Sequence, residues 1–313
     1  MVLGVPELEH GLDPSFQGAD LSGQDLRDRD FTGADLTNAR LSRADLRGCS
    51  LRGCTLDGSQ FVGADLTGAD LTECRGAGAV FGQANLNGAT LFAADLTGAS
   101  LSSASLNGAD LRAANLSEAR LRDADLTDAD LTRANLTDAD LTGATVARSR
   151  FTHADLSGSG LRHLHHFDGA DWIGVSVIDI DFSGAYLVRR EIMDQNYLYE
   201  FRTRDRRHAV LYAIWKATSD CGRSVGRWAA ITVGVALLFA VLYATVDIDY
   251  GPNQTALSPL YFSTVTITTL GYGDALPTSA AAQLLVMVEV AVGYMMLGGV
   301  LSIFATRMGR RAD

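Results

Sequence analysis

From Phe16 to Leu161 every fifth position, thirty in all, is Leu, Phe or Val, with Gly76 as the one exception. Two residues before each lies a small side chain, mostly Ala, as in Ala34-Asp35-Leu36 and Ala124-Asp125-Leu126. A period of five fits neither regular element, because five steps rotate a helical side chain by roughly 140° and reverse its face on a strand. A chain that turns once per repeat points every Leu inward. After Leu161 the column slips by one residue and is expected to continue as Phe167, Trp172, Val177, Phe182 and Leu187, where larger residues predict a widened or capped end. The pattern then changes to long apolar runs. Trp228 to Ile248 is a run of 21 residues, roughly 31 Å as a helix and long enough to cross a bilayer. Ala280 to Thr306, 27 residues, is expected to cross with tilt. Between them Leu257 to Leu270, 14 residues, has the length of a re-entrant segment. Ser258 is expected as its N-cap with Pro259 at the first helical position, and Ser224 as the N-cap of the first span.

Charge divides the chain at the same place. The 313 residues are 47% apolar and 20% charged with net charge −11, which excludes a disordered tail, a disulfide scaffold and a basic nucleic-acid binder. Residues 1–188 carry 27 acidic and 14 basic side chains, a balance of −13, whereas residues 189–313 carry 10 and 12, a balance of +2. Nine Lys or Arg precede the first span within 189–227, and Arg307, Arg310 and Arg311 follow the second; the loop between has none but carries Asp247, Asp249 and Asp274. The positive-inside rule then places both termini in the cytoplasm, with the chain in the inner (plasma) membrane. No signal-peptide pattern precedes the repeats.

The five-residue column resembles the pentapeptide-repeat family, whose motif is A-(D/N)-L-x-x. The resemblance implies a right-handed quadrilateral β-helix, in which four repeats make one coil of twenty residues, the Leu column fills the centre and the Ala column packs beside it. Stacked at strand spacing, the coils from 16 to 187 make a rod on the order of 40 Å long. Cys74-Arg75-Gly76-Ala77-Gly78 reads as a bulge or corner loop. Cys49, Cys54 and Cys74 occupy the small-residue column; Cys54 and Cys74 fall on adjacent rungs, close enough for a disulfide, although a cytoplasmic rod favours thiols. His163, His165 and His166 stand where the register slips, without recurrent metal-ligand spacing.

Thr268-Thr269-Leu270-Gly271-Tyr272-Gly273-Asp274, after a short apolar segment and between two spans, resembles the selectivity filter of a potassium channel. The resemblance implies an all-α two-span membrane pore domain with a re-entrant pore helix, assembled as a homotetramer, because one chain supplies only a quarter of each oxygen ring. It assigns ion-coordinating carbonyls to Thr269, Leu270, Gly271 and Tyr272, with Gly273 completing the filter and potassium ions bound there. Asp274 is placed at the outer mouth, and Thr268, Tyr261 and Phe262 support the filter from the pore helix. Leu270 stands for the commoner Val. Val265 stands where some members carry a Glu that pairs with the Asp after the filter. Gly293, twenty residues beyond Gly273, is the position of the family's gating hinge. Glu289 is the one charged residue inside Ala280 to Thr306, so two roles are open to it: facing the pore, or bracing the filter from behind through Ser or Thr hydroxyls.

The expected organisation is therefore a cytoplasmic pentapeptide solenoid over 1–188, a linker over 189–227 and a pore domain over 228–313. In the linker Val210, Leu211, Ile214 and Trp215 form one helical stripe beside Arg206, Arg207 and Lys216, the pattern of an interfacial helix contacting membrane lipid; packing against the solenoid accounts for the same stripe. The expected function is a potassium-selective channel whose solenoid regulates it or receives a cytoplasmic protein or ligand, without an organic cofactor or nucleic acid. The alternative is a membrane-anchored interaction module or DNA mimic using the acidic rod. No nucleophile elbow, metal-ligand pair or phosphate loop points to an enzyme.

Overall fold

The computed structural model describes residues 15–312 apart from Asp181, Arg223 and Asn253, with side chains as far as Phe304. The first 14 residues of the expected solenoid and the side chains of Arg307, Arg310 and Arg311 lie outside the described residues. Two compact units divide between Glu200 and Phe201.

The first unit is a β-helix. Each polar residue before a Leu pairs in parallel with the residue twenty further on, from Ser15↔Asp35 through Thr145↔His165. Corners close by i to i+3 turns, as where Ala39 N donates to Leu36 O at 2.9 Å. The third residue of that turn must be left-handed, so Asn38 has φ 57°, and about half of the corners use Gly there. Between rungs Leu36 N donates to Thr55 O at 2.8 Å and Thr55 N to Ala34 O at 3.0 Å. The N–H directly after each Leu is left out of this ladder, which gives the motif Asp its purpose: Asp35 Oδ1 accepts from Thr37 N at 2.9 Å, and Asp70 Oδ1 from Thr72 N at 2.9 Å. Leu and Ala columns are buried almost completely, and aromatic residues stack on successive rungs, Phe61 on Phe81 at 4.7 Å and Phe151 on Trp172 at 4.5 Å.

One expectation for the rod is narrowed and another corrected. Of the bulge or corner expected at 74–78 the structure has the corner and no bulge: Ala79 N donates to Gly76 O at 3.1 Å with Gly78 at φ 66°, Gly76 N donates to Asp95 O at 2.7 Å, and Arg75 bridges both neighbours. Leu56 and Leu96 fill the space its side chain leaves. At the other end the slip is present, since Arg150 pairs with Asp171 after a short 3-10 turn at Phe167–Gly169, but Leu187 does not extend the column. It is 45% exposed on helix α1 (Tyr186–Thr203), where Val188 and Ile192 face the core instead. Helix α1 closes the last coil with two amides that stand in for the peptide groups of a further rung. Gln195 accepts from Trp172 N at 2.9 Å and donates to Ala170 O at 2.8 Å; Asn196 accepts from Gly174 N at 2.7 Å and donates to Trp172 O at 3.0 Å.

All four cysteines are free thiols. Burial pushes Cys49, Cys54 and Cys74 up to about 12. A thiolate-directed reagent is therefore expected to modify Cys221 alone in the native protein and all four after denaturation; native modification of a second cysteine, counted by mass spectrometry, contradicts this packing.

The second unit is helical: α2 (Arg206–Ser219), α3 (Val225–Tyr243), α4 (Ser258–Ile267) and α5 (Ala280–Ala312). Ser224 caps α3, accepting from Arg227 N at 3.2 Å. The stretch 244–248 leaves the helix although it is apolar, because Ile248–Asp249 (β1) pairs antiparallel with Leu276–Pro277 (β2). Helix α4 starts one residue earlier than expected. Leu257 is its cap residue, and the Ser258 hydroxyl accepts from Thr255 N at 2.8 Å. Val225–Tyr243 and Ala280–Phe304 are long and apolar enough to cross a membrane, yet only 17% and 11% of their most apolar windows are buried. A core helix of a soluble domain hides most of its surface, so these two need an apolar solvent or further subunits.

Candidate functional site

The β1–β2 pairing and helix α4 fix the two ends of the segment 268–274. Helix α4 ends in a Schellman motif: Thr269 N donates to Thr266 O and Leu270 N to Val265 O, both at 3.0 Å. The left-handed position that this motif demands is occupied by Thr269 at φ 59°, where Gly is usual. Gly271 (φ 50°) and Gly273 (φ 74°) are left-handed too. Alternate residues therefore share the conformation that most side chains resist. A β-branched residue held there is strained, and such strain collects at functional sites.

Around this segment the structure separates residues that sequence grouped. The Tyr261 hydroxyl donates to Asp274 Oδ2 at 2.7 Å, tying helix α4 to the end of the segment. Phe262 turns its ring onto Tyr243 at 5.0 Å and Tyr250 at 6.1 Å. The Thr268 hydroxyl bonds back to Thr264 O at 2.6 Å. Leu270 and Tyr272 are 59% and 66% exposed in the single chain. A cavity of about 310 Å³ lies between the segment and α5, lined by Val265, Thr266, Tyr272, Val286, Val290 and Tyr294 among others.

Glu289 is fully buried on α5. Its carboxyl accepts short hydrogen bonds from the hydroxyls of Tyr243 on α3 and Ser263 on α4. Ser263 Oγ also lies 2.8 Å from Ala236 O on α3. One carboxyl thus joins α3, α4 and α5. Tyr243 and Ser263 are site residues that sequence reasoning missed; no local spacing signals them, since they lie 46 and 26 residues away.

Two glycines of α5 mark close approaches. A Cβ on Gly293 would lie 2.5 Å from the Ile267 carbonyl oxygen, so this residue lets α5 touch the end of α4. A Cβ on Gly299 would lie 2.1 Å from the Trp228 ring, whose indole N–H donates to Met296 O at 2.9 Å. Gly299→Ala is expected to expel the indole, with a loss of about 1–3 kcal/mol from overpacking; an unchanged unfolding temperature in detergent would contradict the contact. Among the described residues no group of three or more His, Cys, Asp or Glu side chains is gathered to hold a metal, the three His of the register slip included.

Known proteins divide the chain in the same way. Residues 15–53, 54–92, 94–133 and 134–163 match the model for pentapeptide repeats, and residues 230–310 match that for an ion channel. The chain thus carries pentapeptide repeats followed by an ion channel domain. Two pore potassium channel b of Oryza sativa subsp. japonica is 39% identical over 84 residues, which are 26% of this chain and 24% of the rice protein, so the chain spans about a quarter of that relative's length. Among solved structures, HetL, a pentapeptide repeat protein from the cyanobacterium Nostoc sp. strain PCC 7120, is 31% identical over 55% of this chain and 84% of its own, with a TM-score of 0.26. QnrB1, a plasmid-mediated fluoroquinolone resistance protein, is 23% identical over 58% of this chain and 92% of its own, with a TM-score of 0.41.

Proposed function

We propose that this protein is a homotetrameric, potassium-selective channel of the inner (plasma) membrane, with both termini in the cytoplasm and the pentapeptide solenoid as its regulatory or interaction domain. The observation that carries the reading is the alternation of left-handed residues at Thr269, Gly271 and Gly273. An alternating backbone turns successive carbonyls toward one side, so four copies around an axis supply stacked oxygen rings that replace the ion's water shell. Thr269, Leu270, Gly271 and Tyr272 contribute these oxygens and Gly273 completes the strand. Helix α4 acts as the re-entrant pore helix and aims its negative end at the permeation path.

The supporting residues follow from their contacts. Tyr261 holds Asp274 at the outer mouth, and Glu289 holds α4 against α3 and α5. Gly293 both admits the α4 contact and serves as the point where α5 bends. The exposed face of α5, with Leu284, Met287, Met295 and Leu301, is covered by lipid or the neighbouring copies. In bilayers containing the purified protein, a potassium gradient is expected to set the reversal potential against equal sodium. Equal sodium permeability removes the filter assignment. Deleting residues 1–188 is expected to alter gating while leaving selectivity intact; unchanged gating separates the solenoid from pore regulation.

A further inference from the structure

Helix α2 carries an exposed face that nothing in its own unit covers. His208, Ala209, Tyr212 and Ser219 are partly or fully buried, whereas Val210, Leu211 and Ile214 are 54%, 54% and 55% exposed. They project on one side together with the exposed Ala213 and Ala217. Trp215, expected in the same stripe, is turned partly away, 36% exposed with its ring against Phe201 at 6.3 Å. Lys216, expected beside the stripe, lies 6.0 Å over the Tyr212 ring.

The basic residues at the start of this face are unspent. Among the described residues Arg204, Arg206 and Arg207 form no ion pair, while Arg227 pairs with Asp220 at 3.6 Å. The one acid among them, Asp205, is occupied as the N-cap of α2, accepting from His208 N at 2.9 Å, and this bond holds its carboxyl below the usual range. Three exposed guanidinium groups beside an apolar stripe fit an anion at the edge of an apolar phase.

The joint to α3 fixes where that phase lies. Asp220, Cys221 and Gly222 are all left-handed, with φ of 51°, 55° and 80°. Ser219 O accepts from Ser224 N at 2.9 Å, and Ser219 Oγ from Gly222 N at 3.0 Å. This tight corner ends α2 within a few residues of Trp228, where the apolar run of α3 begins. We infer that α2 is an anionic-lipid binding surface: Val210, Leu211 and Ile214 enter the inner leaflet and Arg206 and Arg207, with Arg204, bind lipid phosphate. The inference rests on the membrane placement of α3 and not on conduction, so it stands or falls separately from the channel reading.

The test uses the full chain in vesicles, with a fluorescent label on Ala213→Cys in a Cys221→Ser background, the three buried thiols being unreactive. Quenching by brominated acyl chains is read in phosphatidylcholine alone and in phosphatidylcholine containing phosphatidylglycerol. The label is expected to be quenched by both lipids and to favour brominated phosphatidylglycerol, by about fivefold for each arginine engaged. Arg206→Gln with Arg207→Gln is expected to abolish that preference while leaving quenching by phosphatidylcholine, and Ile214→Asp to abolish both. Absence of quenching by either lipid shows that the face lies off the membrane and overturns the inference. A phosphatidylglycerol preference that survives the double arginine variant overturns the assignment of the arginines.

Discussion

Replacing Gly271 by Ala is expected to abolish potassium-selective current while leaving the protein folded and assembled. No atom lies within 4 Å of the Cβ that would be added, so steric contact within the chain is not the cause. The cause is the backbone, held at φ 50°, where an L side chain costs about 1–2 kcal/mol. In a tetramer the cost recurs in every copy, about 4–8 kcal/mol per ring, enough to favour a different backbone at that level. A carbonyl that turns away leaves the ion without its substitute for water. Gly68→Ala is the control, because Gly68 has φ 66° and open space in the solenoid: its local cost is the same and its current is expected to be unchanged. Potassium-selective current from Gly271→Ala equal to the parent would remove this residue from the conduction path.

The second large effect concerns Glu289. Truncation to Ala strips the acceptor from the buried Tyr243 hydroxyl, while the Ser263 hydroxyl keeps Ala236 O, and it leaves a void at the meeting point of three helices. The orphaned hydroxyl costs about 1–3 kcal/mol and the void adds to it, so the membrane unit is expected to lose about 2–5 kcal/mol and with it the assembled, conducting form. Glu289→Gln preserves the shape and offers one acceptor and one donor, which the two hydroxyls can use between them. It is expected to retain assembly with a small loss of stability. Thermal unfolding in detergent, followed by size separation, distinguishes the pair. An Ala variant that unfolds at the parent's temperature means that the carboxyl is not what joins α3, α4 and α5.

The contrast between these residues and the solenoid shows what kind of information a sequence displays. A column at strict period five is legible because one coil geometry is repeated at every rung, and each rung restates the same steric demand. The segment 268–274 is legible for a related reason: glycine at alternate positions reports a local backbone requirement. Tyr243, Ser263 and Glu289 satisfy one another across three helices, and no local rule announces that. The same holds for Gln195 and Asn196, two ordinary amides until a helix lays them over the last coil. Leu187 is misplaced because its spacing continues the column while the chain has already become helical. The stretch 244–248 is misplaced because hydropathy cannot see the β1–β2 pairing that pulls it out of α3.

The two amides on α1 bear on how the protein behaves at high concentration. A parallel β-helix ends in a row of unsatisfied peptide groups, a template on which another chain can add strands and grow a filament. Gln195 and Asn196 occupy those groups at the C-terminal face, so growth there is blocked by side chains and not by charge. Loss of both amides would leave those peptide groups unpaired beneath α1, with Val188 and Ile192 as the remaining cover.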